Sequence, residues 1–141
     1  MNIGVLDLVV IYALPIVLLC VLGGLFLAGL YLVVRYDWFH LDFSYDVLVG
    51  LKYRKKPFNF FNVAFLMIFD NGMQAALLYR TARWMYLHRL GQPALVLTKV
   101  GKFFTNMEVP PNAKVGRGLS LWHGTVISIG QFTDIGERCT I

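Results

Sequence analysis

Residues 109–141, VPPNAKVGRGLSLWHGTVISIGQFTDIGERCTI, decide the fold. Val109, Val115 and Leu121 recur every six positions, and after a two-residue slip Ile129, Ile135 and Ile141 do so again. Gly116, Gly130 and Gly136 each follow one of these aliphatics, while Ala113, Thr125, Thr133 and Cys139 stand four places after theirs. An α-helix repeats at about 3.6 residues and an alternating strand at about two, so neither predicts this spacing. A six-residue period with an aliphatic, a glycine and a small residue is the pattern of a parallel β-helix. Each hexapeptide forms one flat face of a triangular coil. The aliphatic fills the axis, and the residue four places on lies near a corner that admits a small side chain. Three hexapeptides close one coil, so this stretch holds fewer than two. The chain as read is expected to stop in mid-fold, with an open strand edge at Ile141.

Working outward, the 141 residues are 57% hydrophobic and 15% charged, with a mean hydropathy of +0.61. Soluble domains run at about 45–50% apolar and about 25% charged, so the composition argues against an ordinary soluble domain. It argues more strongly against disorder. Between Asp7 and Arg35 lie 27 consecutive uncharged residues. As a helix they reach roughly 40 Å, more than the ~30 Å hydrocarbon core requires. Pro15 and Gly23-Gly24 are tolerated in lipid. A cleaved signal peptide fits less well: no basic residue precedes the run, the run is long, and no small-x-small site follows. A retained transmembrane helix is expected. Asp7 precedes it, whereas Arg35, Lys52, Arg54, Lys55 and Lys56 follow, which places the C-terminal part in the cytoplasm. Tyr31, Tyr36, Trp38 and Phe39 suit an aromatic belt at that interface.

Thirteen Lys and Arg against eight Asp and Glu give a net charge of +5, compatible with an anionic membrane surface or an anionic cofactor. The basic residues are scattered and no nucleic-acid reading motif accompanies them, so no nucleic-acid partner is expected. Cys20 and Cys139 form neither a disulfide framework nor a metal-ligand spacing, and no metal is expected. Residues 58–69 are too short to span and read as an interfacial or partner-covered helix near the membrane. Asn71-Gly72 is a turn signal. Residues 73–90 carry a helical pattern, with Met73, Leu77, Trp84 and Leu87 near one face and Arg80, Arg83 and Arg89 solvated. Gly91 then serves as a C-cap, and Pro93 starts a helix over 94–104.

Three pieces carry a family resemblance: residues 75–84 (AALLYRTARW), residues 108–118 (EVPPNAKVGRG) and residues 121–130 (LWHGTVISIG). From Met73 to Ile141 the chain resembles the hexapeptide-repeat acyltransferases, and most closely the serine O-acetyltransferases. The fold expected is mixed: the N-terminal transmembrane helix read above, an α-helical segment, then, as the resemblance implies, the start of a left-handed parallel β-helix. The domains expected are an anchor (1–35), a juxtamembrane linker with one short helix (36–57), a helical segment capping the β-helix (58–107) and an incomplete acyltransferase domain (108–141). Such enzymes move an acetyl group from acetyl-CoA to a small-molecule hydroxyl acceptor, usually as homotrimers with sites between neighbouring β-helices.

By the same resemblance, His123 is the general base and Glu108 the carboxylate that orients it. An imidazole, with a pKa near 6.5, suits the deprotonation of a weakly nucleophilic alcohol. Family members usually have Asp at the Glu108 position, so the charge is kept and the reach lengthened. Trp122 stands where serine-specific members carry an Asp, and Gln131 where they commonly carry a Glu. Both are candidate substrate-binding residues. Losing an acid that meets the serine ammonium weakens the case for serine, whereas an aromatic ring suits stacking on a sugar. The cofactor-binding residues belong to later coils. A saccharide or lipid-linked polysaccharide acceptor, and a non-catalytic membrane scaffold, are the alternatives.

Overall fold

The computed structural model describes residues 5–36, 42–122 and 126–141. Trp38, Phe39, His40, His123 and Thr125, singled out above or nearby, lie outside them. Helix α1 (Val5–Tyr36) contains the segment Ala13–Leu32, with a mean hydropathy of 2.5 and none of it buried against the rest of the chain. That segment is long and apolar enough to cross a membrane.

Four shorter helices follow. Residues 36–57, expected as a linker with one short helix, form α2 over Phe43–Tyr53, which buries Phe43, Val47 and Leu51 among Val63, Leu66 and Met67 of α3 (Phe60–Phe69). Helix α3 is capped at its start by Asn59, whose side chain accepts from the Asn62 N–H at 2.9 Å. At Asp70 the chain turns by 89° into α4 (Asn71–Leu87). The turn comes one residue earlier than Asn71-Gly72 suggested, because the Asp70 carboxylate accepts from the Met73 N–H at 2.8 Å and makes both residues helical.

The C-terminal end of α4 also differs from expectation. Arg89, not Gly91, takes the left-handed conformation (φ 63°), and the Leu90 N–H reaches back to the Met85 carbonyl at 2.9 Å. This six-to-one bond closes the helix, so Gly91 is free to open α5 (Gly91–Thr105) with Pro93 in its first turn.

Beyond α5 the six-residue pattern becomes geometry. Strand β1 (Met107–Glu108) pairs in parallel with β3 (Ile127–Ser128), and β2 (Lys114–Val115) with β4 (Asp134–Ile135). Met107 lies opposite Ile127, Lys114 opposite Asp134, and Ser120 opposite Thr140. Each partner is 20 residues on, which is three hexapeptides plus the two-residue slip. Val109, Ala113, Val115, Leu121 and Ile129 are buried together as the aliphatic rungs predict, with Tyr79 and Ala75 of α4 closing that core. One position departs from the pattern. Leu119, four places after Val115, is large yet wholly buried, because that corner faces the helices and its N–H is taken by Asp46 of α2 at 2.8 Å.

Where α4 meets the coil the approach is too close for a side chain. A Cβ on Gly72 would lie 2.0 Å from the Leu121 carbonyl oxygen, a backbone atom that cannot swing away. Gly72→Ala should therefore lower stability by about 1–3 kcal/mol or more, as overpacking does. The denaturation midpoint checks this, and an unchanged midpoint would mean that α4 does not abut this rung.

Candidate active site

Glu108 ends β1, next to the buried Met107, so strand alternation turns its side chain outward toward α5. Lys99 and Lys102 stand three apart on α5 and so share a face. The Lys99 Nζ donates to Glu108 Oε1 at 2.9 Å and the Lys102 Nζ to Oε2 at 2.5 Å. The hydrogen bonds from Lys102 and Lys99 hold the Glu108 carboxyl below its ordinary value of 4.5. Since the folded pKa is depressed, this clamp contributes stability above about pH 4.5 and loses it as pH falls through the lower folded value. Carbon-detected NMR titration of Glu108 should give a midpoint below 4.5, moving upward in a Lys99→Ala, Lys102→Ala variant.

Glu108 also lines an open cleft of about 920 Å³ between the α4–α5 turn and the coil. Tyr86, Arg89, Pro110, Asn112, Ile129 and Gln131 share that lining. Gln131 accepts from the Asn112 amide at 3.4 Å. Among the described residues of the lining, Glu108 is the one acid, and lysines already engage both its oxygens. Trp122 does not line this cleft. Its ring faces the end of α2, with the Arg54 guanidinium 4.9 Å from its centroid, the Tyr53 ring edge-on at 6.3 Å, and Nε1 donating to Ser120 Oγ at 2.8 Å. The structure thus brings Glu108 and Gln131 to one cleft and holds Trp122 elsewhere. His123 falls in the slip, between Trp122 and Val126, outside the described residues.

Comparison with known proteins bears on what this cleft belongs to. No family model matches the chain. The serine acetyltransferase of Helicobacter pylori is 40% identical over 70 residues, covering 50% of this chain and 41% of that protein. Serine acetyltransferase from Brucella abortus superposes with a TM-score of 0.63 at 20% identity, covering 79% of this chain and 45% of that one. A serine acetyltransferase solved in complex with CoA superposes with a TM-score of 0.60 at 19% identity, covering 70% and 41%. The fold is theirs. The chain spans less than half the length of these relatives.

Two arginines need correction. The helical pattern leaves Arg80 and Arg83 solvated. Arg80 is instead 4% exposed, and each of its three guanidinium nitrogens donates a hydrogen bond. Nε and Nη2 donate to Asp46 at 2.8 and 3.1 Å, Nη1 donates to the Val115 carbonyl at 2.8 Å, and Nη2 also donates to the Gly116 carbonyl at 2.7 Å. Arg83 donates to the Pro111 carbonyl at 3.0 Å. A guanidinium presents five donors in a plane, which suits it to binding successive backbone carbonyls of a coil. Asp46, Lys99 and Lys102 were not singled out in the sequence. Only the three-residue spacing of the two lysines just ahead of Glu108 was available as a signal.

Proposed function

We propose that this chain is part of an acetyl-CoA-dependent O-acetyltransferase resembling the serine acetyltransferases. The parallel coil with its 20-residue register carries the reading. It supports a left-handed β-helix. In this mechanism the His123 imidazole takes the acceptor hydroxyl proton as the oxygen bonds to the thioester carbonyl carbon. The tetrahedral intermediate then collapses, the C–S bond breaks, and CoA leaves as its thiol after taking the proton back from the imidazolium. Glu108 keeps its charge through the lysine clamp. Each carboxylate oxygen can accept a second hydrogen bond, so it can also hold the imidazole N–H. The anchor (1–35) spans the membrane, residues 36–107 carry the cytoplasmic helical layer, and the β-helix domain (108–141) works as a homotrimer.

The cleft favours a saccharide hydroxyl over free serine. It offers an amide pair, Gln131 and Asn112, and among its described lining residues no carboxylate beyond the lysine-bound Glu108 for an ammonium group. Its volume lies near the upper end of the ~300–1,000 Å³ range of ligand pockets, ample for a sugar. The full-length protein in detergent, with the later coils included, given acetyl-CoA with serine or with free monosaccharides, should release CoA thiol, and faster with a sugar. Preference for serine would overturn the acceptor assignment. No release with any hydroxyl acceptor would overturn the enzymatic reading and leave the scaffold.

A further inference from the structure

Helix α3 divides into two faces. Val63, Leu66 and Met67 are buried against α2 and α4. Phe61, Phe65, Ile68 and Phe69, at spacings of four, seven and eight, are 80%, 60%, 49% and 68% exposed. Three phenylalanines and an isoleucine along one helix edge form a surface that water solvates poorly. Two observations identify what covers it. First, α3 begins beside the end of the apolar segment of α1: the Tyr31 ring lies 5.8 Å from Phe58 and 5.6 Å from Phe60, and the Arg35 guanidinium is 5.8 Å from the Phe58 ring. Second, residues 47–69 contain no acid and four bases, Lys52, Arg54, Lys55 and Lys56. Arg54 is paired with Asp70, while Lys52, Lys55 and Lys56, in the stretch leading into α3, are exposed.

We propose that α3 docks on a lipid bilayer, in the leaflet where α1 emerges. The Phe61, Phe65, Ile68 and Phe69 edge sinks about 5–10 Å into the headgroup–acyl boundary, as amphipathic interfacial helices do. Lys52, Lys55 and Lys56 face anionic headgroups. The inference rests on reading α1 as a membrane span. Its consequence is geometric: a helix lying flat beside the span fixes the orientation of the coil relative to the membrane, which a single anchor does not.

Spin labelling of the full chain in phosphatidylcholine vesicles containing phosphatidylglycerol tests both layers separately. In a Cys139→Ser background, one label sits on native Cys20 within α1. In a background also carrying Cys20→Ala, others sit at Phe65→Cys, Phe69→Cys or Lys56→Cys. Labels at 65 and 69 should be relaxed more by oxygen than by an aqueous nickel chelate, like the Cys20 label, with the order reversed at 56. Labels at 65 and 69 that the chelate reaches as readily as 56, with Cys20 protected, overturn the docking while the span stands. Spin–spin broadening at 65 shows a second copy on this face and also overturns it. A chelate-accessible Cys20 overturns the span reading, and with it the docking that rests on it.

Discussion

Replacing His123 with alanine should cut CoA release by about 10²–10⁴-fold, the usual worth of a positioned general base. The size follows from the acceptor. An alcohol is almost wholly protonated at neutral pH, so attack on the thioester needs a base that takes the proton as the new bond forms. Among the described residues the one histidine, His88, is not placed to substitute. His88 lies on α4's C-cap, its ring 4.3 Å from Trp84 and its Nδ1 2.8 Å from the Trp84 carbonyl. Glu108→Gln should lose less. It removes the charge that favours the imidazolium but keeps an acceptor for the imidazole N–H. A drop for His123→Ala with a smaller drop and an altered pH profile for Glu108→Gln supports the assigned roles. Unchanged turnover in His123→Ala would remove the mechanism.

Asp46→Ala should destabilise the protein by about 3–5 kcal/mol, the usual cost of leaving one member of a buried ion pair behind. Set against the about 5–15 kcal/mol that holds a typical domain together, that loss is close to unfolding. Asp46 is wholly buried and binds four donors. Besides Arg80, it accepts from the Gly118 N–H at 2.7 Å and the Leu119 N–H at 2.8 Å. Burial pushes its carboxyl above the ordinary range, while Arg80 and the Leu119 and Gly118 N–H groups pull it back. The group therefore joins α2, α4 and the second face of the coil at one point. In the variant, Arg80 keeps its charge with two carbonyls and no counter-ion. Chemical denaturation measures the loss. An Asp46→Leu, Arg80→Met double variant should recover part of it, since no buried charge then remains, though the Gly118 and Leu119 N–H groups stay unsatisfied. The double-mutant cycle gives the coupling. A cycle with no coupling would show that the pair does not hold the layers together.

The candidate site was only partly legible. Glu108 and Gln131 could be named through the family resemblance, and the structure brings both to one cleft. Their neighbours could not. Lys99 and Lys102 meet Glu108 because α5 runs back along the first strand, and two lysines on a helix otherwise read as a solvated face. Trp122 packs on Arg54 and Tyr53, whose approach depends on where α2 ends.

What the amino-acid string determined by itself was periodic. Six-residue spacing with one slip of two implies a register of 20, because a coil must return its aliphatic to the axis at every turn, and the pairings have that register. Long uncharged length likewise implies an apolar helix, because backbone groups away from water must be paired within the segment. What only the tertiary structure decided was the use of the charges. Asp46 and Arg80 stand 34 residues apart, in segments that read as linker and solvated helix. Their attraction takes its value from burial, and burial is a property of the packed layers rather than of either segment.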